Sequence, residues 1–157
     1  MKQRKFKPFG NISALSLGGG GIGNVWGETS RSERVSTVSL AIESGINHLD
    51  MAPMYGKGEA ERVVGETFKE LDHSAINLTT KCRLGTVTDS EVYNRLNNSL
   101  CRSLETMGVE KVNLFLLHSQ LIEDDYQLPF LNEHRATNAT TLSCYYNAVI
   151  PAFEMLK

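Results

Sequence analysis

The chain has 157 residues, 41% of them hydrophobic and 22% charged, with a formal net charge of −2. That length is enough for one domain with a real core, and so weak an acidity offers no reason to expect a nucleic acid or an anionic membrane as partner. No apolar run approaches the roughly 18 residues that span a bilayer, and the basic start MKQRKFKPFG lacks the apolar stretch of a secretion signal, so a cytoplasmic protein is expected. RKFKPFG reads as a leading strand, hairpinned through Phe9-Gly10-Asn11 to a strand NISALSL that ends in the glycine run Gly18 to Gly21. SRSERVSTVSLAIESG reads as a helix: Ser30 and Glu33 have capping-box spacing, Val35, Val38 and Ile42 share a face, and Gly45 supplies the stop. INHLD is the next strand, and GEAERVVGETFKEL a helix with Val64, Phe68 and Leu71 on one stripe. AINLTTK is a strand. TDSEVYNRLNNSLCRSLETMG is a helix opened by a Thr88–Glu91 capping box and closed by Gly108. VNLFLLH is a strongly apolar strand, expected to be buried on both faces of a parallel sheet. Residues 119–144 lack periodicity and read as a long irregular loop. YYNAVIPAFEMLK reads as a short helix that tolerates Pro151 near its first turn.

Strand and helix alternate through four βα units, which predicts a single α/β domain with a parallel sheet. In such folds the C-terminal strand ends share one face, where sites are built. Asp50, Lys81 and His118 each end a strand, and Tyr55 lies in the loop after Asp50. Taken singly each has an ordinary role: a capping carboxylate, a solvated ammonium, a hydrogen-bonded structural imidazole, a packed aromatic. Together they suit proton transfer. A phenol is a weak acid near neutrality, and a neighbouring ammonium favours its ionised form. Lys81 would tune Tyr55, Asp50 would anchor Lys81, and His118 would orient a substrate oxygen. Protonating a carbonyl oxygen in this way requires a hydride from elsewhere, hence a nicotinamide cofactor.

Gly18-x-Gly20-x-x-Gly23 also has dinucleotide-fold spacing, with Asp50 ending the next strand. That rival expects the turn to open straight into a long helix, whereas NVWGETSRSE intervenes. In the alternating βα reading the run is the first βα loop, where Gly20 and Gly21 let cofactor or substrate approach the backbone. Trp26 is either a wall of the substrate pocket or a buried anchor. Three cysteines (Cys82, Cys101, Cys144) are too scattered for a disulfide framework or a zinc site, and no metal is expected. All three read as reduced thiols; the lesser reading is a reactive Cys82 whose thiolate Lys81, beside it, would favour.

Asp50-Met51-Ala52-Pro53-Met54-Tyr55-Gly56, followed by Gly58, Glu61 and Gly65, resembles the aldo-keto reductase signature. NLTTKC resembles that family's lysine strand and VNLFLLHSQ its histidine strand. The resemblance implies a (β/α) barrel with catalytic Asp50, Tyr55, Lys81 and His118. It further implies a site that uses NADPH (NADP), or NAD in some branches, on a small-molecule carbonyl, with Trp26, Tyr55 and His118 facing substrate and Gly20, Gly21 and Asp50 facing cofactor. The Ala-Pro-x-Tyr-Gly wording resembles branches acting on sugar-like aldehydes. Met51 stands where Thr or Ser is usual, a change of packing more than of chemistry. Family barrels run to about 300 residues, so the chain is expected to be the N-terminal half, truncated before most cofactor contacts. A half barrel leaves open strand edges, which suit self-association with a second copy. The alternative is a catalytically inactive remnant or an interaction module.

Overall fold

A computed structural model describes residues 1–7, 9–126 and 138–157. These fall into two compact units, Met1–Lys81 with Arg102–Leu116, and Cys82–Cys101 with Leu117–Lys157.

The first unit opens with a hairpin of β1 (Gln3–Phe6) and β2 (Gly10–Ser13), antiparallel, with Gln3 opposite Ser13 and Phe6 opposite Gly10. The single strand expected over 11–17 is therefore two. After Ser13 the chain bends, and β3 (Leu17–Gly18) joins a different sheet. The bend is held by Asn47, whose Oδ1 accepts from Ser13 N at 2.7 Å while Ser13 Oγ accepts from Asn47 N at 3.0 Å. The glycine run is α1 (Gly19–Ile22), a single turn rather than a bare loop. Then come α2 (Arg31–Glu43), β4 (His48–Asp50) and α3 (Glu59–Thr67). β5 (Asn77–Cys82), α4 (Asp89–Met107) and β6 (Leu114–Leu117) follow, each running from one unit into the other.

The sheet order is β3-β4-β5-β6, with β3–β4 and β4–β5 parallel. Asn113 N donates to Leu78 O at 2.9 Å and His118 N to Cys82 O at 2.7 Å. These bonds advance together along both strands, so β5 and β6 are parallel too. Spatial order follows chain order with no reversal. That is the winding of a (β/α) barrel, not of a dinucleotide fold, which reverses at a switch point. β6 ends this order, and its apolar residues are not buried on both faces: Leu116 is 38% exposed.

The ends of α2 and α4 follow the sequence closely, whereas α3, expected to reach Leu71, stops at Thr67. Ser30 Oγ accepts from Glu33 N and the Glu33 carboxylate accepts from Ser30 N, a complete capping box. Gly45 and Gly108 take the left-handed conformation that stops α2 and α4. Val38, Leu49, Met51, Val63, Val64 and Met107 form the centre of the first unit's core. Glu59, at the start of α3, ties the helices outside the sheet: it pairs with Arg31, with Arg34 at 2.7 Å and with Arg62 at 3.0 Å.

In the second unit Leu84, Val92, Leu96, Val149 and Ala152 are buried. Residues 119–144, expected as irregular, contain a parallel strand pair, β7 (Gln120–Ile122) with β8 (Ala139–Thr141). Residues 127–137 of that expectation lie outside the described residues. The final helix is α5 (Leu142–Cys144), a π turn over Tyr145–Val149, and α6 (Ile150–Met155). Pro151 begins α6 without an N–H to donate, and the wider π turn before it absorbs the mismatch in the ladder. Among the described residues no helix is long and apolar enough to cross a membrane.

Candidate active site

Lys81 is the hub. It extends from β5 with only 9% of its surface exposed, and its ammonium has three donors. Nζ donates to Asp50 Oδ1 at 2.6 Å, to Met51 O at 2.9 Å and to the Tyr55 hydroxyl oxygen at 3.2 Å. Nζ also lies 4.8 Å from the Tyr55 ring centroid. β4 and β5 pair in parallel with Asp50 opposite Thr79. That register places Asp50 and Lys81 within reach at the strand ends. The phenol oxygen accepts from Lys81, so the hydrogen on that oxygen is the one Tyr55 has to give. Met51 is the contributor the sequence reading missed. Its side chain is fully buried in the core, and its carbonyl fixes the third ammonium hydrogen.

Tyr55 is held by glycines. A Cβ on Gly19 would stand 2.8 Å from Tyr55 Cδ2, and one on Gly23 would stand 2.9 Å from the Tyr55 carbonyl carbon. The turn after Tyr55 is left-handed through Gly56, Lys57 and Gly58, with φ of 62°, 55° and 84°. A Cβ on Gly56 would sit 1.8 Å from Gly23 O. The glycine run thus seats Tyr55 first of all. At Gly20, where cofactor or substrate was expected to approach, the Trp26 ring comes within 2.6 Å of where a Cβ would be. Gly21 has open space over it. Trp26 itself is 81% exposed, so it is not a buried anchor.

Behind the triad lies His48, on the same face of β4 as Asp50 because side chains alternate. Its ring nitrogens lie 2.7 Å from Ser16 Oγ and 2.8 Å from Thr79 Oγ1. Burial holds the imidazole below its ordinary value; Asp50 opposes this and the Lys81 charge adds to it. Glu61, 3% exposed, accepts from Thr80 Oγ1 at 2.7 Å. Burial raises its carboxyl above the ordinary range, against the hydrogen bonds from Thr80 and Ser103 and the charges of Lys81 and Arg62. Cys82 does not benefit from its neighbour in sequence. It is 2% exposed, on the opposite face of the strand from Lys81, and burial pushes its thiol up. Cys144 is likewise pushed up to about 11, by burial and then by Asp89.

His118 belongs to the second unit. It is half-buried at the end of β6, its N–H bonded to Cys82 O, and it lines a cavity with Arg83, Ser119 and Asn138.

The Aldo/keto reductase family model matches residues 14–157. The NADH-specific methylglyoxal reductase of Escherichia coli (strain K12) is 30% identical over 125 residues, covering 71% of this chain and 38% of that protein. Among solved structures, an aldo-keto reductase from Bacillus halodurans in its holo form aligns with a TM-score of 0.71 at 22% identity, over 100% of this chain and 46% of that one. An aldo-keto reductase from Klebsiella pneumoniae in complex with NADPH aligns with a TM-score of 0.64 at 20% identity, over 99% of this chain and 45% of that one. The chain therefore spans less than half the length of these proteins.

Proposed function

Because the chain belongs to the aldo/keto reductase family, we propose that it carries the proton-transfer site of an NAD(P)H-dependent oxidoreductase that interconverts a small carbonyl compound and its alcohol. The observation that carries this is the Lys81 ammonium bonded at once to the Asp50 carboxylate and the Tyr55 phenol. Tyr55 is the general acid in reduction. As its proton passes to the carbonyl oxygen, negative charge grows on the phenol oxygen, 3.2 Å from a fixed cation. A preorganised charge in a partly dry site stabilises that development far more than water would. Asp50 keeps Lys81 in place, and Met51 O fixes its direction. His118 is assigned the substrate-orienting role by its family motif.

A bound nicotinamide supplies the hydride. Two observations fit its reactive end here: the open backbone at Gly21, and an Asp50 carboxylate that is 37% exposed while still holding Lys81. Those two residues would face the cofactor; Gly20 gives its face to Trp26. The named activity of the Escherichia coli relative makes methylglyoxal, with NADH or NADPH, the first substrate to assay.

Tyr55→Phe is expected to lower kcat for carbonyl reduction by about a hundredfold or more, with the melting temperature and cofactor binding kept. Binding is read from quenching of Trp26, the single tryptophan, on adding NADPH. Unchanged turnover in Tyr55→Phe overturns the acid role. No quench and no turnover in the parent protein would leave the inactive half-barrel or interaction module as the better account.

A further inference from the structure

We propose that the cavity beside His118 is an oxyanion-binding subsite, which makes the preferred substrate a carbonyl compound bearing a carboxylate or phosphate group. This rests on the carbonyl-oxidoreductase reading above and names its substrate class. The cavity, about 340 Å³, lies wholly within the second unit and is lined by Arg83, Leu117, His118, Ser119, Gln120 and Asn138.

Among the described residues that line it none is a carboxylate, and Arg83 and Ser119 carry hydrogens to donate. Arg83 is half-buried, two residues beyond Lys81 in sequence. Among the described residues it forms one hydrogen bond, from Nη1 to Asn138 Oδ1 at 3.4 Å, and takes part in no ion pair. A guanidinium has five N–H donors in a planar fork that matches a carboxylate or phosphate edge. Ser119 adds a donor by exclusion. Its oxygen accepts from Leu84 N at 3.0 Å and from Gly85 N at 3.2 Å. Both bonds are spent as acceptors, so the hydroxyl hydrogen is what Ser119 has to offer. These two N–H bonds also hold the serine in position on the turn that follows β5. Gln120 and Asn138 flank the cavity from the paired strands β7 and β8, Gln120 within β7 and Asn138 just before β8. A cation that no carboxylate among the described residues faces, beside a neutral hydroxyl donor, favours an anionic ligand over a neutral one of the same shape. A substrate whose carbonyl meets His118 would place a charged group on Arg83 across the same cavity.

The test compares the parent protein with Arg83→Gln and Arg83→Lys. Benzoate and inorganic phosphate are titrated by calorimetry, without cofactor or turnover. The parent should bind at least one of them, and Arg83→Gln should bind it roughly tenfold more weakly or worse, with Arg83→Lys between. Binding of benzoate alone assigns carboxylates, and of phosphate alone phosphate esters. Parent-like affinity in Arg83→Gln, or no binding of either anion by the parent, overturns the subsite. The second arm measures kcat/KM for 4-carboxybenzaldehyde relative to its uncharged methyl ester. Arg83→Gln should lower that ratio by roughly tenfold. An equal loss on both substrates would show a structural role and defeat the proposal. If no nicotinamide-dependent reduction occurs at all, the oxidoreductase reading falls while calorimetry still decides the subsite.

Discussion

At the scale of single residues, the site depends on atoms that are absent. Gly56 combines a φ of 62° with a Cβ position 1.8 Å from Gly23 O. A side chain there meets both the left-handed penalty and a backbone clash. Gly56→Ala is expected to cost about 2–4 kcal/mol of stability and to displace the neighbouring Tyr55. Urea unfolding with carbonyl-reduction rates checks this, and a near-parent result in both would contradict the close approach of the two loops. Asp50, Tyr55 and Lys81 were legible from position and residue type, since strand-end side chains gather on one rim. Met51 was legible only as an odd packing residue, because its contribution is a carbonyl and every residue has one. The lesser reading of Cys82, a thiolate beside Lys81, fails for a geometric reason: consecutive residues of a strand point to opposite faces, so Lys81 and Cys82 are neighbours in sequence only.

At the scale of elements, the approach of α3 to the end of α4 decides the sign of a substitution that helix propensity alone would misjudge. Gly65→Ala removes a helical glycine, a gain of about 1 kcal/mol by propensity. Its Cβ would stand 2.3 Å from Thr106 O and 3.1 Å from Met107 Cα. These are backbone atoms, which cannot swing aside as a side chain would. Overpacking of this kind costs about 1–3 kcal/mol, so the net change is expected to be a loss. A raised melting temperature in Gly65→Ala would show that the helices slide apart freely. Capping boxes and glycine stops placed α2 and α4 well, because those signals are local. The division of 11–17 into two strands was not local. It follows from Asn47, far along the chain, gripping Ser13 from both sides. Burial of β6 was overestimated for a related reason: an apolar run reports what a strand is able to bury, and the sheet order decides what covers it.

At the scale of the whole molecule, a buried carboxyl sets part of the pH dependence of stability. Glu61 keeps its proton more tightly folded than unfolded, chiefly through burial. Its contribution to folding is therefore full below the ordinary carboxyl value and is lost as pH rises through the raised one. Glu61→Gln retains an acceptor for Thr80 and does not ionise. Its stability relative to the parent is expected to climb as pH rises above the ordinary carboxyl value and to level off above the raised one, as read from urea midpoints. Groups common to both proteins, Glu59 included, cancel in that comparison, and a flat difference would mean the carboxyl is not desolvated. By itself the sequence determined the alternation of strands and helices, the ends of α2 and α4, and which residue types reach the strand termini, since periodicity and capping are properties of neighbouring residues. The tertiary structure alone decided that strand order never reverses, that Lys81 divides its three hydrogens among Asp50, Met51 and Tyr55, and that the glycines seat a tyrosine and an indole. Those outcomes depend on distances between segments remote along the chain, which only the packed fold defines.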